Sequence, residues 1–142
     1  MTVALKPGGK LASIVLSSAE KNPLNAQSRA IARRHAGLPY LPSEDPGLFA
    51  LGDAEVLRAV FERASFRDVD VCVVPTRRRF PSVAAAVQFR VASSPEIAKL
   101  MAEMNDAARN AVLAEIEESV RRFEEADGVS EPAEYLVGVG TK

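Results

Sequence analysis

The hydrophobic pattern in the first half of the chain predicts a strand, then a helix, then a second strand. Leu11 to Ser17 is almost continuously apolar, which is typical of a strand covered on both faces of a parallel sheet. Asp53 is a favourable N-cap for a helix that runs through Ala64. Its apolar face consists of Leu57, Val60, Phe61 and Ala64, which recur at helical spacing. Over 69–74, valines alternate with polar residues, which predicts a half-exposed strand.

The other segments are mostly helical. We predict a short basic helix over 25–35 and a helix from Ser82 to about Ala92. A helical segment follows over 95–127, with Asn105 or Asp106 as a cap inside it. Its buried stripe is Val112, Ile116, Val120 and Phe123. The last predicted strand is Tyr135–Val139, whereas 19–52 is a mixed segment rich in turn residues.

This order of strand, mixed segment, helix, strand, helices and strand predicts an α/β fold with a layered sheet. A chain of 142 residues suits one domain, spanning 1–142. Three predicted strands make a small sheet for a fold of this class.

Composition limits the partners and the kinds of site. The 18 basic and 19 acidic residues give a net charge of -1, so we expect neither a nucleic-acid partner nor a membrane partner. A single cysteine excludes an intramolecular disulfide, and a single histidine excludes a multi-histidine metal site; no metal site is predicted. No apolar stretch approaches the roughly 20 residues that span a bilayer, and the N-terminus lacks a signal-peptide pattern. The predicted compartment is the cytoplasm.

Four short motifs carry a resemblance to a known family. They are Leu5-Lys-Pro-Gly-Gly-Lys10 before an apolar strand, Phe49-Ala-Leu-Gly-Asp53 at a helix start, Ala64-Ser-Phe66, and Val69-Asp-Val71. In this order they resemble the C-terminal half of class I S-adenosylmethionine-dependent methyltransferases, in the ubiquinone/menaquinone-type, small-molecule branch. The resemblance implies a partial Rossmann-like sheet. Its strands would be the fifth at Leu11–Ser17, the sixth at 69–74, and an antiparallel seventh, Tyr135–Val139, inserted between them.

The same resemblance shows what the chain lacks. The family implies S-adenosylmethionine as cofactor, held at a glycine-rich turn after the first strand. No Gly-x-Gly-x-Gly occurs here, so we expect no cofactor-binding residue and no first four strands in these 142 residues. One local departure is Ser65, where the family often has glycine at the helix end.

The candidate substrate-binding residues follow from the resemblance, which places a variable substrate-side segment at 19–52 and the acceptor pocket near the segment after the sixth strand. They are Asn22, Asn25, Tyr40, Phe49, Arg77, Arg78 and Phe80. For the aromatic residues the alternative is packing in the core. For the arginines it is a solvated loop or pairing with acidic residues of 115–125. No catalytic residue is assigned, and His35 is either a general base or a surface histidine at a helix end.

Two functions are compatible with these observations. In the first, the chain is the substrate-side part of a methyltransferase that acts on a small molecule, and it is not catalytic alone. In the second, it is a non-catalytic binding or assembly module that oligomerises through the open edge of its first strand. The expected partners are a small-molecule acceptor and either a second copy of the chain or a companion chain. Enzymatic activity of these 142 residues is left open.

Overall fold

The computed structural model describes residues 5–39 and 47–142, which form an antiparallel sheet with helices on both faces. The strands are β1 (Lys10–Leu16), β2 (Arg67–Phe80), β3 (Glu124–Glu125) and β4 (Gly128–Thr141). The sheet order is β1-β4-β2, with β3 paired to the start of β4. The last strand therefore lies between the first and the second and runs antiparallel to both, in the position expected for it.

Two details of the predicted strands were wrong. β1 is not covered on both faces, because Ile14 is 69% exposed. β2 and β4 are each 14 residues long, so both extend well beyond the predicted 69–74 and Tyr135–Val139. The extensions were not predicted because they contain charged residues and prolines, which interrupt the apolar alternation that identifies a strand in a sequence.

The helices agree more closely with their predicted positions. They are α1 (Pro23–His35), α2 (Ala54–Arg63), α3 (Val83–Ser93), α4 (Pro95–Ala102) and α5 (Asp106–Arg121). Asp53 caps α2, because its Oδ1 accepts hydrogen bonds from the Glu55 and Val56 amides at 2.8 and 3.0 Å. Ser82, Ser94 and Asn105 cap the next three helices in the same way. No helix in the described ranges is long and apolar enough to cross a membrane.

Two apolar cores lie on opposite faces of the sheet. In the smaller core, Leu57 and Phe61 of α2 pack on Leu136 of β4. Glycine makes this close approach possible, since a Cβ on Gly140 would lie 2.8 Å from the Phe61 ring. The larger core joins α1, α3, α4 and α5 to Val129 of β4. Because side chains alternate along a strand, Val129, Glu131 and Ala133 share the face that these four helices cover.

Candidate functional site

A group of charged and polar side chains lies where α1, α3, β2 and β4 meet. Asn25 comes from the first turn of α1, Arg78 from β2, Arg90 from α3 and Glu131 from β4. Arg78 and Glu131 are opposite each other in the strand register, and Arg78 Nε lies 2.7 Å from Glu131 Oε1. Arg90 pairs with the same carboxylate oxygen and donates a second hydrogen bond to Asn25 Oδ1 at 3.0 Å. Arg78 also donates to Asn25 Oδ1. Two guanidinium groups therefore share one carboxylate and one amide.

This group is buried, which makes its charges unusual. Glu131 is 0% exposed and Arg90 is 2% exposed. Burial, and after it the positive charge of the neighbouring Arg78, lowers the pKa of Arg90 to about 9. Burial is also the main cause that lowers the pKa of Arg78. Both side chains remain protonated at neutral pH, so the group carries one net positive charge in a poorly hydrated place.

The hydrogen bonding of the group is incomplete. Within the described ranges, Arg90 Nε and Glu131 Oε2 are buried without a hydrogen-bond partner. Arg78 Nε has the distance of an ion pair to Glu131 but makes no hydrogen bond. Buried polar groups are normally satisfied, because leaving one unpaired costs about 1–3 kcal/mol. The group therefore has capacity for a further hydrogen-bonding partner.

A cleft of about 420 Å³ opens beside these residues, between the start of α1 and the junction of α3 with α4. Asn25 and Arg90 line it, and so does Ser28, which is 1% exposed and whose Oγ has no partner among the described residues. Its apolar lining is Leu48, Pro95 and Ile97. The cleft thus combines apolar walls with a few buried polar groups, which is typical of a small-molecule site.

The wall formed by α4 carries a second ion-pair group. Glu96 lies against Arg29, and its other carboxylate oxygen is 2.7 Å from Arg33. Burial alone raises the pKa of Glu96, but the hydrogen bonds from the two arginines outweigh it and hold this pKa below its usual value. Glu96 is therefore ionised at neutral pH and fixes α1 against α4.

Of the predicted substrate-binding residues, the structure brings only Asn25 and Arg78 together here. Arg77 turns to β4 instead, where its Nε donates to Ser130 Oγ at 2.7 Å. The solvated-loop alternative for 77–79 is wrong, since this segment is part of β2. The other alternative was pairing with an acidic residue of 115–125. Arg77 does so, since its Nη2 lies 3.8 Å from Glu125 Oε1.

The other predicted residues within the described ranges do not line the cleft. Asn22 is fully buried, and its side-chain amide forms hydrogen bonds with the backbone of β4. Phe80 packs against the larger core, with its ring centroid 5.3 Å from that of Phe89. Phe49 is half-buried in a turn before α2. Tyr40 lies outside the described residues.

His35 also lies away from the cleft. Its Nε2 is 2.9 Å from Glu115 Oε2, at the end of α1 where that helix meets α5. The hydrogen bond from His35 is the main cause that lowers the pKa of Glu115, and Arg34 acts in the same direction. His35 is the last residue of α1, which is the helix-end position that the surface-histidine alternative gives it.

Sequence reasoning missed Arg90, Glu131 and Ser28. A signal for Arg90 was present, because it follows Val83 and Ala86 on the buried face of α3 at helical spacing. A charged residue on an apolar helix face indicates a buried ion pair. Glu131 gives the same signal in β4, where it lies between the buried Val129 and Ala133.

The described part of the chain contains no group of three or more histidine, cysteine, aspartate or glutamate side chains placed to hold a metal ion. No family model matches the sequence, and no curated protein is significantly similar to it.

Proposed function

We propose that the chain is the C-terminal, substrate-side part of an S-adenosylmethionine-dependent methyltransferase that acts on a small molecule. The observation that carries this proposal is the sheet order, in which β4 is inserted antiparallel between β1 and β2. This order agrees with what the motifs Leu5–Lys10 and Phe49–Asp53 imply by resemblance. The chain is not expected to be catalytic alone, because it lacks the glycine-rich turn that holds the cofactor.

The free edge of β1 supports the need for a companion segment. Within the described ranges, β1 pairs with β4 on one side and with no strand on the other. An unpaired edge readily accepts a further strand unless charges, proline or a bulge protect it. The outer edge of β2 has such protection, since it carries Pro75, a register irregularity near Arg67, and several charged side chains. Between Leu11 and Leu16, β1 has no charge and no proline.

An apolar cavity next to this edge supports the same conclusion. It has a volume of about 360 Å³ and lies between β1 and α2, lined by Leu11, Val15 and Phe61 among others. Ile14 is exposed on the opposite face of β1. Both faces of the strand therefore leave apolar surface for a neighbouring segment to cover. In the proposal this segment, on the same polypeptide or another, carries the cofactor site.

S-adenosylmethionine supplies the methyl group in this proposal. We expect no site for it among these residues, because the glycine-rich turn is absent from the sequence, so their role in the proposal is to bind and orient the acceptor. Holding two reactants in a reactive geometry is a large contribution to catalysis of such transfers. The buried group around Arg90 and the adjoining cleft are the surface available for that task.

Isothermal titration calorimetry of the 142-residue chain with S-adenosylmethionine tests whether the chain binds the cofactor by itself. We expect no detectable binding, because the cofactor half is separate. A micromolar or tighter dissociation constant for the isolated chain would contradict the proposal. Sinefungin serves as a second, unreactive probe of the same site.

The unpaired β1 edge also favours a second candidate, a non-catalytic assembly module that forms a homo-oligomer through β1. Light scattering with the variant Ile14→Lys tests it, because a lysine on an edge strand opposes strand pairing. Val73→Lys is the matched control, since Val73 is 54% exposed on β2. An oligomer that only Ile14→Lys dissociates supports the module. A monomer at high concentration argues against it.

A further inference from the structure

We infer that the cleft between α1 and the α3–α4 junction is a binding site for a small monocarboxylate with an apolar body. The inference rests on Ser28 and Arg90, which line this cleft and are both at least nine-tenths buried. Each presents a polar atom, Ser28 Oγ and Arg90 Nε, that has no hydrogen-bond partner among the described residues. Both groups are donors, and a carboxylate oxygen is the acceptor that suits them.

The charge around the cleft favours an anion. Among the described residues, Glu96 is shared by Arg29 and Arg33, and Glu131 is shared by Arg78 and Arg90. Each carboxylate therefore faces two guanidinium groups, and in the described part of the chain Arg90 Nε and Ser28 Oγ remain without a partner. A ligand carboxylate supplies the acceptor that these donors lack, whereas inorganic phosphate has no apolar body to contact Leu48, Pro95 and Ile97.

The geometry of the polar group makes the site preorganised. Arg90 is held from two directions, by Glu131 and by Asn25 Oδ1. A guanidinium fixed in this way loses little rotational freedom when it binds a planar carboxylate. Leu48, Pro95 and Ile97 line the same cleft and provide the contact for an apolar body. A volume of about 420 Å³ accommodates a ligand of the size of an aromatic carboxylate.

The assignment of this carboxylate to a methyl acceptor rests on the proposed function, whereas binding itself is a property of the isolated chain. If the chain binds S-adenosylmethionine but also binds carboxylates, only the proposed function fails. If it binds no carboxylate but assembles with a companion segment, only the present inference fails.

Nuclear magnetic resonance of the nitrogen-15-labelled chain provides the test. Sodium benzoate is the probe, benzamide is the uncharged probe of the same shape, and inorganic phosphate is the competing anion. We expect benzoate to give a saturable shift of the Arg90 Nε–H signal, which the variant Arg90→Lys identifies by its loss. We expect little shift from benzamide or phosphate. No saturable shift with benzoate, or an equal shift with either other probe, overturns the inference.

Variants test the placement of the ligand without relying on the buried ion pair. Ser28→Ala removes one donor and is expected to weaken benzoate binding about fivefold, the effect of one hydrogen bond. Ser119→Ala is the matched control, because Ser119 is also a buried helical serine but its hydroxyl already donates to the Ile116 carbonyl at 2.7 Å. Unchanged affinity in Ser28→Ala, or equal weakening by Ser119→Ala, overturns the placement of the carboxylate.

Discussion

The side-chain amide of Asn22 pairs with the backbone of Glu134 as a neighbouring strand would. Asn22 Nδ2 donates to the Glu134 carbonyl at 3.1 Å, and Asn22 Oδ1 accepts from the Glu134 amide at 3.1 Å. The two residues are 112 positions apart, and Asn22 is fully buried. β1 ends at Leu16, so this amide continues the edge of β4 where the strand pairing stops. The start of α1 is thereby fixed to the sheet, which positions Asn25 beside the buried arginines.

We expect Asn22→Ala to lower the free energy of unfolding by about 1–3 kcal/mol, because it leaves the Glu134 amide without a partner and the Glu134 carbonyl with the Ser17 amide alone. Urea denaturation measures this change. Asn110→Ala is the control, because Asn110 is an exposed residue of α5. Losses of equal size in the two variants would show that the amide does not hold α1 to the sheet.

The buried carboxylate of Glu131 gives a second prediction. Glu131→Gln removes the negative charge that faces both Arg78 and Arg90 and leaves two guanidinium groups buried without a counter-charge. We expect a loss of about 3–5 kcal/mol in the free energy of unfolding, as for other broken buried ion pairs. Thermal and urea unfolding check this value.

Glu125→Gln is the matched control for that measurement. Glu125 also faces an arginine, Arg77, but at 3.8 Å and with both side chains about half exposed. A change within about 0.5 kcal/mol is expected for this surface pair. If Glu131→Gln lowers the free energy of unfolding as little as Glu125→Gln does, the charges of Arg78 and Arg90 are balanced by groups other than Glu131.

The fold was predictable where one physical signal dominated. Asp53 before an apolar helical face located α2, and the same reasoning placed a cap at Asn105 or Asp106, of which Asn105 caps α5. The lengths of β2 and β4 were not predictable, because Arg78 and Glu131 read as loop residues in isolation. Only their pairing across the two strands makes these charges compatible with a buried position.

The candidate site was predictable only in part for the same reason. Asn25 and Arg78 are 53 positions apart, and nothing in the sequence relates either of them to Arg90. The cleft also depends on how α4 turns after α3, which follows from the cap at Ser94 and the fixed φ of Pro95. Short-range patterns report helices and strands, whereas a site assembled from four elements depends on their packing.

The interaction of Glu96 with Arg29 and Arg33 predicts a pH dependence. The pKa of Glu96 is lowered in the folded chain, so its contribution to stability is present above the unfolded pKa of about 4.3 and is lost as the pH falls through the folded pKa. We therefore expect Glu96→Gln to be less stable than the parent chain near neutral pH, and the difference between the two chains to shrink as the pH falls through the folded pKa of Glu96.

Urea midpoints of the two chains, measured across this pH range, test the prediction. Glu103→Gln is the control, because Glu103 is an exposed residue after α4. A stability difference for Glu96→Gln that is the same at all pH values would mean that shape, and not charge, fixes α1 against α4.

The end of α2 gives the last prediction, at the position where glycine was expected and serine is found. Ser65 has a φ of 63°, in the left-handed region that a Cβ disfavours. The Ser65 amide donates to the Glu62 carbonyl, and the Phe66 amide donates to the Phe61 carbonyl at 3.1 Å. The rings of Phe61 and Phe66 also meet edge to face, with centroids 5.5 Å apart. These are the two hydrogen bonds and the apolar contact of a Schellman motif, so its conformation is fixed by more than the identity of residue 65.

Ser65→Gly is therefore expected to raise the free energy of unfolding by about 0.5–1 kcal/mol, since relief of the strained φ exceeds the extra entropy that glycine loses on folding. Ser65→Ala, which keeps the Cβ, is expected to leave stability within about 0.5 kcal/mol of the parent chain. Differential scanning calorimetry of the three chains measures both effects. A stabilised alanine variant, or an unchanged glycine variant, would show that the serine hydroxyl and not the backbone conformation determines stability at this helix end.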